Sequence, residues 1–154
     1  TAQTSLTFSG LTGDSQLHYV LMGKIVAGGN DSSTLIFNGV SSNVYDYRVT
    51  GPNDGSSNNV YTGSAQTFIQ IGISTGDGAI DTFRLMIPAT SGANRQTLGQ
   101  YLRGGASGNG ISQVYNCAGV WRNSANAITS MTLGYASQTS GFKVGTDISL
   151  YALT

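Results

Sequence analysis

Charged residues are scarce in this chain of 154 residues, where they make up 9% of the sequence. An average globular protein has roughly 25%. Glutamate is absent, and seven aspartates balance the seven lysines and arginines. A protein that binds nucleic acid needs a cluster of basic residues to contact phosphates, and the sequence has none. We therefore expect no nucleic-acid partner.

Residues that support catalysis or metal binding are nearly as rare. The chain has one cysteine, Cys117, and one histidine, His18. A single cysteine excludes an internal disulfide, and two such residues are too few for a zinc site with three or four His or Cys ligands. No G-x-S-x-G motif is present, and nothing in the sequence marks a nucleophile for His18. We expect Cys117 to be a small buried side chain.

Asp77 and Asp81 are the one pair of carboxylates close together in the sequence that could serve sugar hydrolysis. No aromatic subsite lies near them, so we interpret both as turn residues. These aspartates, or Asn30 with Asp31, could bind calcium through loop oxygens, although the twelve-residue calcium-loop pattern is missing. The sequence predicts no catalytic residue, no cofactor, no metal site and no enzyme activity.

Long apolar runs are also missing. No stretch approaches the 18 apolar residues of a membrane helix. The start "TAQTSLTF" lacks the basic region and apolar run of a signal peptide. We expect no membrane partner, and the length predicts a single domain over residues 1–154.

Glycine is abundant instead, with 22 residues, and interrupts the chain too often for long helices. Apolar and polar residues alternate in short segments, which indicates β-strands. The clearest segments are 17–26, 44–50, 67–73 and 81–87, and further strands are predicted at 4–8, 34–38, 111–116, 118–122, 127–135 and 148–153. About ten short strands predict an all-β fold, an antiparallel β-sandwich or jelly roll of about 8–10 strands with little or no helix.

Segment 17–26 illustrates the pattern, since Leu17, Tyr19, Leu21 and Ile25 fall on one expected core face. Segment 94–102 is ambiguous because its apolar residues have helical spacing, and we expect one helical turn at most.

The C-terminal region predicts two further features. Ile128 and Met131 are three residues apart and can face one core only if the strand contains an extra residue. We therefore predict a β-bulge near Thr129 and Ser130. Segment 148–153 alternates regularly, which predicts a strand paired on both edges.

A few residues are candidates for contact with a partner or ligand. Trp121 is the only tryptophan, and it could be a core or interface anchor or an exposed sugar platform. Arg122 lies beside it, and His18 is expected at the surface or in an interface. Asn53 and Asp54 belong to a long polar loop that could contact a partner.

Several motifs resemble a pattern found in bacteriophage jelly-roll structural proteins. They are "VYDYRV" with Tyr45 and Tyr47, "GVW", "AITSMTLGY" and the ending "FKVGTDISLYAL". The family's last hairpin is similar to I-T-S-I-x-L followed by F-x-x-G-T-x-I-x-L-Y-G. The matching residues here are Ile128, Thr129, Ser130, Leu133, Phe142, Gly145, Thr146, Ile148, Leu150 and Tyr151. Met131 replaces the second isoleucine, and Ala152 replaces the final glycine.

The resemblance implies a jelly roll that acts as a virion component. Gly145 and Thr146 would form a turn before the last strand, and Tyr151 would anchor packing. Two roles are open: a decoration (cement) protein on the capsid exterior, or a tail-fibre or tail-tip module that recognises a host glycan. The chain has no coiled-coil heptads and no collagen-like repeat. We therefore favour the decoration role, with the major capsid protein and copies of the chain itself, as a dimer or trimer, as partners.

Overall fold

The computed structural model describes residues 3–52, 58–74, 76–104, 111–137 and 140–154. Within these residues the chain forms eleven β-strands and one 3₁₀ helix, Gly13–Ser15. The strands are β1 (Ser5–Ser9), β2 (His18–Gly28), β3 (Asp31–Phe37), β4 (Tyr45–Pro52), β5 (Asn58–Gln66), β6 (Ile69–Ser74), β7 (Asp77–Pro88), β8 (Arg95–Gly104), β9 (Ile111–Trp121), β10 (Ser130–Tyr135) and β11 (Asp147–Leu153). The all-β prediction is confirmed, with one strand more than the expected upper number.

The strands form two antiparallel sheets. The smaller sheet has four strands in the order β1-β10-β3-β6, and the larger has seven in the order β11-β2-β7-β8-β9-β4-β5. Strand β6 of the smaller sheet lies against β4, β8 and β9 of the larger one. Buried apolar side chains of both sheets form one cluster, so the predicted β-sandwich is confirmed.

Alternation along the strands places side chains largely as the sequence predicts. In β7, Phe83, Leu85 and Ile87 are buried, and in β2, Tyr19, Leu21 and Ile25 are buried. Leu17 is an exception, because it precedes β2 and is 60% exposed. Its assignment to the core face is therefore wrong.

Strands β5 and β8 are not evident from the sequence pattern. Segment 94–102 is not a helical turn, because β8 is hydrogen-bonded to β7 on one side and to β9 on the other. The predicted strands 111–116 and 118–122 are one continuous strand, β9. Cys117 lies at its centre, buried and opposite Gly99, and burial raises the pKa of its thiol to about 12. The expectation of a small buried side chain at Cys117 is confirmed.

The predicted bulge near Thr129 and Ser130 is wrong. Strand β10 begins only at Ser130 and pairs with β1 and β3 without a register shift. Ile128 reaches the core from the irregular segment before the strand. The side chain of Asn38 holds that segment: its Oδ1 accepts hydrogen bonds from the backbone N–H groups of Thr129 at 2.7 Å and Ser130 at 3.1 Å.

Strand β11 lies at an edge of the larger sheet. Within the described residues it pairs only with β2, from Asp147 opposite Lys24 to Leu153 opposite His18. The predicted pairing on both edges is therefore wrong for the single chain. Gly23 allows the close approach of the two strands, because a Cβ at this position would overlap the backbone of β11.

Candidate interaction surface

The larger sheet has one face against the core and one face toward solvent. We call the solvent-facing side chains of β2, β7, β8, β9 and β4 the open face. The strand register places them in rows across the sheet. In one row, Met86 lies opposite Leu98, Leu98 opposite Ala118, and Ala118 opposite Arg48. The open face is therefore a continuous surface whose centre lies on β8 and β9.

Large apolar side chains are exposed near the centre of this face. Leu98 is 59% exposed and Met86 is 46% exposed, and the two are cross-strand neighbours. Met22, on the adjacent strand, is 39% exposed. Single exposed apolar residues are ordinary, but neighbouring ones on a flat sheet form a patch that can bind a partner.

Three shallow depressions surround the side chain of Leu98. One extends toward Arg48 and Asp46, one toward Arg84 and Met86, and a third lies along β9 and β4. Leu98 lines all three. The geometry offers a protruding apolar side chain with recesses on either side, and such relief suits contact with another macromolecular surface.

Two arginines flank the apolar centre. Among the described residues, neither Arg48 nor Arg84 forms an ion pair. The acid on this face, Asp46, is already engaged, since it lies 3.5 Å from Arg122 and accepts a 2.9 Å hydrogen bond from the backbone N–H of Ala65. That hydrogen bond is the main cause of a lowered pKa for Asp46, and Arg122 lowers the pKa further. The open face therefore carries two positive charges without a carboxylate partner in the described chain.

Strand β8 departs from the usual distribution of polar and apolar residues at three positions. Arg95 and Thr97 face the core and are 1% and 2% exposed, whereas Leu98 faces solvent. The Arg95 guanidinium donates hydrogen bonds to the backbone carbonyls of Asn123 and Asn126 and lies 5.3 Å from the centroid of the Trp121 ring. Because Arg95 joins the connection between β9 and β10 and an aromatic ring at one end of the sandwich, these contacts oppose a rotation of β8 that would bury Leu98.

A second buried polar group fixes the other end of β8. The Asp81 carboxylate accepts hydrogen bonds from the Ser74 hydroxyl at 2.6 Å, the Tyr101 hydroxyl at 2.7 Å and the Gly104 backbone N–H at 3.1 Å. Asp81 is fully buried, and this burial raises its pKa. The cluster is closed to solvent, so its role in the fold is to tie β6, β7 and β8 together.

The other candidate carboxylate does not join this cluster. Asp77 is exposed at the start of β7 and forms a 2.5 Å ion pair with Lys143. It lies opposite Gly28, whereas Asp81 lies opposite Ile25, so the two acids do not share a cleft. Asp31 accepts a 2.7 Å hydrogen bond from the Ser32 backbone N–H. Among the described residues, no group of three or more His, Cys, Asp or Glu could hold a metal ion.

The predicted contact residues do not come together. Trp121 is fully buried and stacks on Phe37 at 5.2 Å between ring centroids, so of the alternatives open for it the structure agrees with a core residue and not with an exposed sugar platform. Arg122 is at the surface and donates to the backbone carbonyl of Asn43 at 2.8 Å. His18 is half-buried at the start of β2, between β11 and β7. Asn53 and Asp54 lie outside the described residues.

The motif residues are mostly part of the core. Tyr45, Ile128, Met131, Leu133 and Phe142 are buried, and Tyr47, Ile148 and Leu150 pack partly buried against them. Gly145 has a φ of 96° in the turn before β11, as expected. The expectation that Tyr151 anchors packing is wrong, because its side chain is 54% exposed and cannot anchor the core. It points away from the core because Ile148 and Leu150 occupy the inward side of the strand.

The central residues of the open face escaped the sequence analysis. Helical spacing in 94–102 obscured the alternation in which Arg95, Thr97 and Tyr101 face inward and Gln96 and Leu98 face outward. Tyr101 could have indicated the strand, because an aromatic residue separated from Arg95 by an even number of positions lies on the same face of a β-strand.

No family model and no curated protein matches this chain. Among the described residues, no helix has the length and apolar character needed to cross a membrane.

Proposed function

We propose that the protein is a bacteriophage structural component, a capsid decoration (cement) protein that binds the outside of the head through its open face. The observation that carries the proposal is the outward position of Leu98 on a strand that buries an arginine. A sheet that exposes an apolar residue while it buries polar ones departs from the usual pattern, and such departures concentrate at functional sites.

We further propose that the sandwich is a jelly roll. In that topology the chain folds back on itself as a long hairpin. The first strand pairs with the last, and each following strand pairs with the next strand inward from the other end. Four nested pairs support this path: β1 with β10, β2 with β7, β3 with β6, and β4 with β5. The hairpin β8–β9 is then an insertion between β7 and β4, and β11 is an addition beside β2. Leu98 lies on the inserted hairpin.

The chemistry of the open face defines the partner surface. Leu98 and Met86 would pack against apolar side chains or into recesses of the partner, and Arg48 and Arg84 would form ion pairs with its carboxylates. Pairing of these charges across an interface would favour a specific orientation more than it would add affinity. A coat-protein surface repeated over a shell would also multiply modest contacts into stable attachment.

Binding to assembled shells tests the proposal. Purified protein is mixed with mature heads of the phage that encodes it, and the bound fraction is measured by co-sedimentation. We expect saturation at a fixed ratio to coat subunits, and Leu98→Lys should weaken binding at least tenfold, since a buried charge without a partner costs several kcal/mol. Val144→Lys is the matched control, because Val144 is fully exposed and lies in the turn before β11, outside the five strands of the open face.

Two results would contradict the decoration role. Equal loss of binding in both variants would mean that charge alone, and not the open face, determines attachment. Binding of the unmodified protein to host polysaccharide, with no affinity for shells, would instead identify a tail module. Cryo-electron microscopy of the intact particle would locate the protein directly.

A further inference from the structure

Strand β11 has an unprotected outer edge. Its seven residues pair with β2 in continuous register, so alternate backbone N–H and C=O groups point away from the sheet. It contains no proline, no lysine and no bulge, the features by which proteins usually prevent an edge strand from pairing further. Its one charged residue, Asp147, lies at the start.

The opposite edge of the same sheet is protected. Strand β5 pairs with β4 through a register shift between Tyr45 and Tyr47. Ala65 has a positive φ of 52° near this irregularity, and its N–H is bound by the Asp46 carboxylate. The shift interrupts the regular row of backbone groups that another strand would need. Of the two edges, β11 is therefore the one that can accept a strand.

Both faces of β11 carry apolar side chains. Ile148 and Leu150 lie partly buried on the core side, while Tyr151 and Leu153 are 54% and 47% exposed on the other side. An edge strand that faces water usually carries polar residues on its outer face. This composition fits a strand whose exposed side chains are covered by a second neighbouring strand.

We propose that β11 pairs with β11 of a second copy of this chain, antiparallel and across a two-fold axis perpendicular to the sheet. The register that uses the whole strand places Leu150 opposite Leu150 and Ile148 opposite Ala152. Asp147 then faces Leu153 and not a second Asp147, so like charges are not opposed. The strand is thus compatible with its own copy, as an isologous interface requires. The result is one sheet of fourteen strands.

This symmetry fixes the relative orientation of the two open faces. A two-fold axis perpendicular to the sheet turns each copy within the plane, so both open faces point in the same direction. A dimer would therefore present two Leu98 patches to one partner surface, and the second contact would be intramolecular. The dimer does not depend on the proposed function, whereas this two-point attachment rests on it.

Measurement of the molar mass of the purified protein tests the pairing without any shell. Sedimentation equilibrium of the unmodified protein should give twice the 15.9 kDa chain mass. Tyr151→Lys adds a charge to the exposed side of the edge strand and should return the protein to the monomer mass. Val60→Lys is the matched control: Val60 is 50% exposed on β5, the protected edge, and its replacement should leave the dimer intact.

Amide hydrogen exchange of the unmodified protein gives a second measurement that does not depend on the folding of a variant. All amides of residues 148–153 should be protected in the dimer, whereas in a monomer only the alternate amides that face β2 would be. A monomer, a trimer, or an equal effect of Tyr151→Lys and Val60→Lys would overturn the proposal. None of these outcomes bears on whether the protein binds shells.

Discussion

The two sides of strand β8 depart from the usual distribution of polar and apolar residues at three positions. The inner side carries Arg95 and Thr97, both almost fully buried, whereas the outer side carries Leu98, which is 59% exposed. Strand β7, its neighbour, has a mostly apolar inner side with Phe83, Leu85 and Ile87, although it also buries Asp81 and exposes Met86. The difference shows that β8 is oriented by its polar contacts. Arg95 donates to the carbonyls of Asn123 and Asn126, and Tyr101 is one of three donors to the buried Asp81 carboxylate.

The inner side should respond most strongly to substitution. Arg95→Ala would leave the carbonyls of Asn123 and Asn126 without their donor and would remove packing on Trp121. We expect a loss of about 3 kcal/mol in the free energy of unfolding, measured by urea denaturation. Arg122→Ala, at an exposed ion pair, should cost less than about 1 kcal/mol. Similar losses in both variants would mean that the interior contacts of Arg95 do not orient β8.

The buried carboxylate should make stability depend on pH in a characteristic direction. The folded-state pKa of Asp81 is raised above its ordinary value of 3.8, chiefly by burial. Its contribution to stability is therefore full below pH 3.8 and is lost as the pH rises through the folded-state pKa. The free energy of unfolding of the unmodified protein minus that of Asp81→Asn should fall as the pH rises from about 4.

Asp46 supplies a control of opposite sign. Its pKa is lowered, mainly by the hydrogen bond from Ala65, so its contribution is present above the unfolded-state pKa and is lost as the pH falls. The corresponding difference for Asp46→Asn should rise with pH. The two slopes are measured by thermal denaturation from pH 3 to pH 7. Parallel slopes for the two variants would contradict the distinction between the fully buried Asp81 and the partly exposed Asp46.

The outer side should be the least sensitive. Leu98→Thr should change the free energy of unfolding by less than about 0.5 kcal/mol, because the side chain is largely in water. The same substitution at Leu85, which is buried on the adjacent strand, should cost more than about 2 kcal/mol. A large loss at Leu98 would assign that residue to the folding of the monomer and would weaken its role in binding.

Prediction from the sequence succeeded where alternation was strong and failed where two patterns competed. Strands β2, β4 and β7 follow from residues such as Tyr19, Val49 and Leu85, because each pattern agrees with the face that is buried. Strand β8 was missed because Leu98 and Leu102 have helical spacing, and only the hydrogen bonds to β7 and β9 decide the conformation. The apparent parity defect at Ile128 does not require a bulge, since the side chain of Asn38 holds an irregular approach to β10.

Composition and alternation alone determined that this protein is an all-β sandwich with few charges, because the period of apolar residues fixes which segments can form half-buried strands. The tertiary structure decided which strands lie at an edge and which side of β8 faces water. Those properties depend on contacts between residues far apart in the chain, such as Arg95 with Asn126 and Tyr101 with Asp81, whose pairing no local pattern encodes.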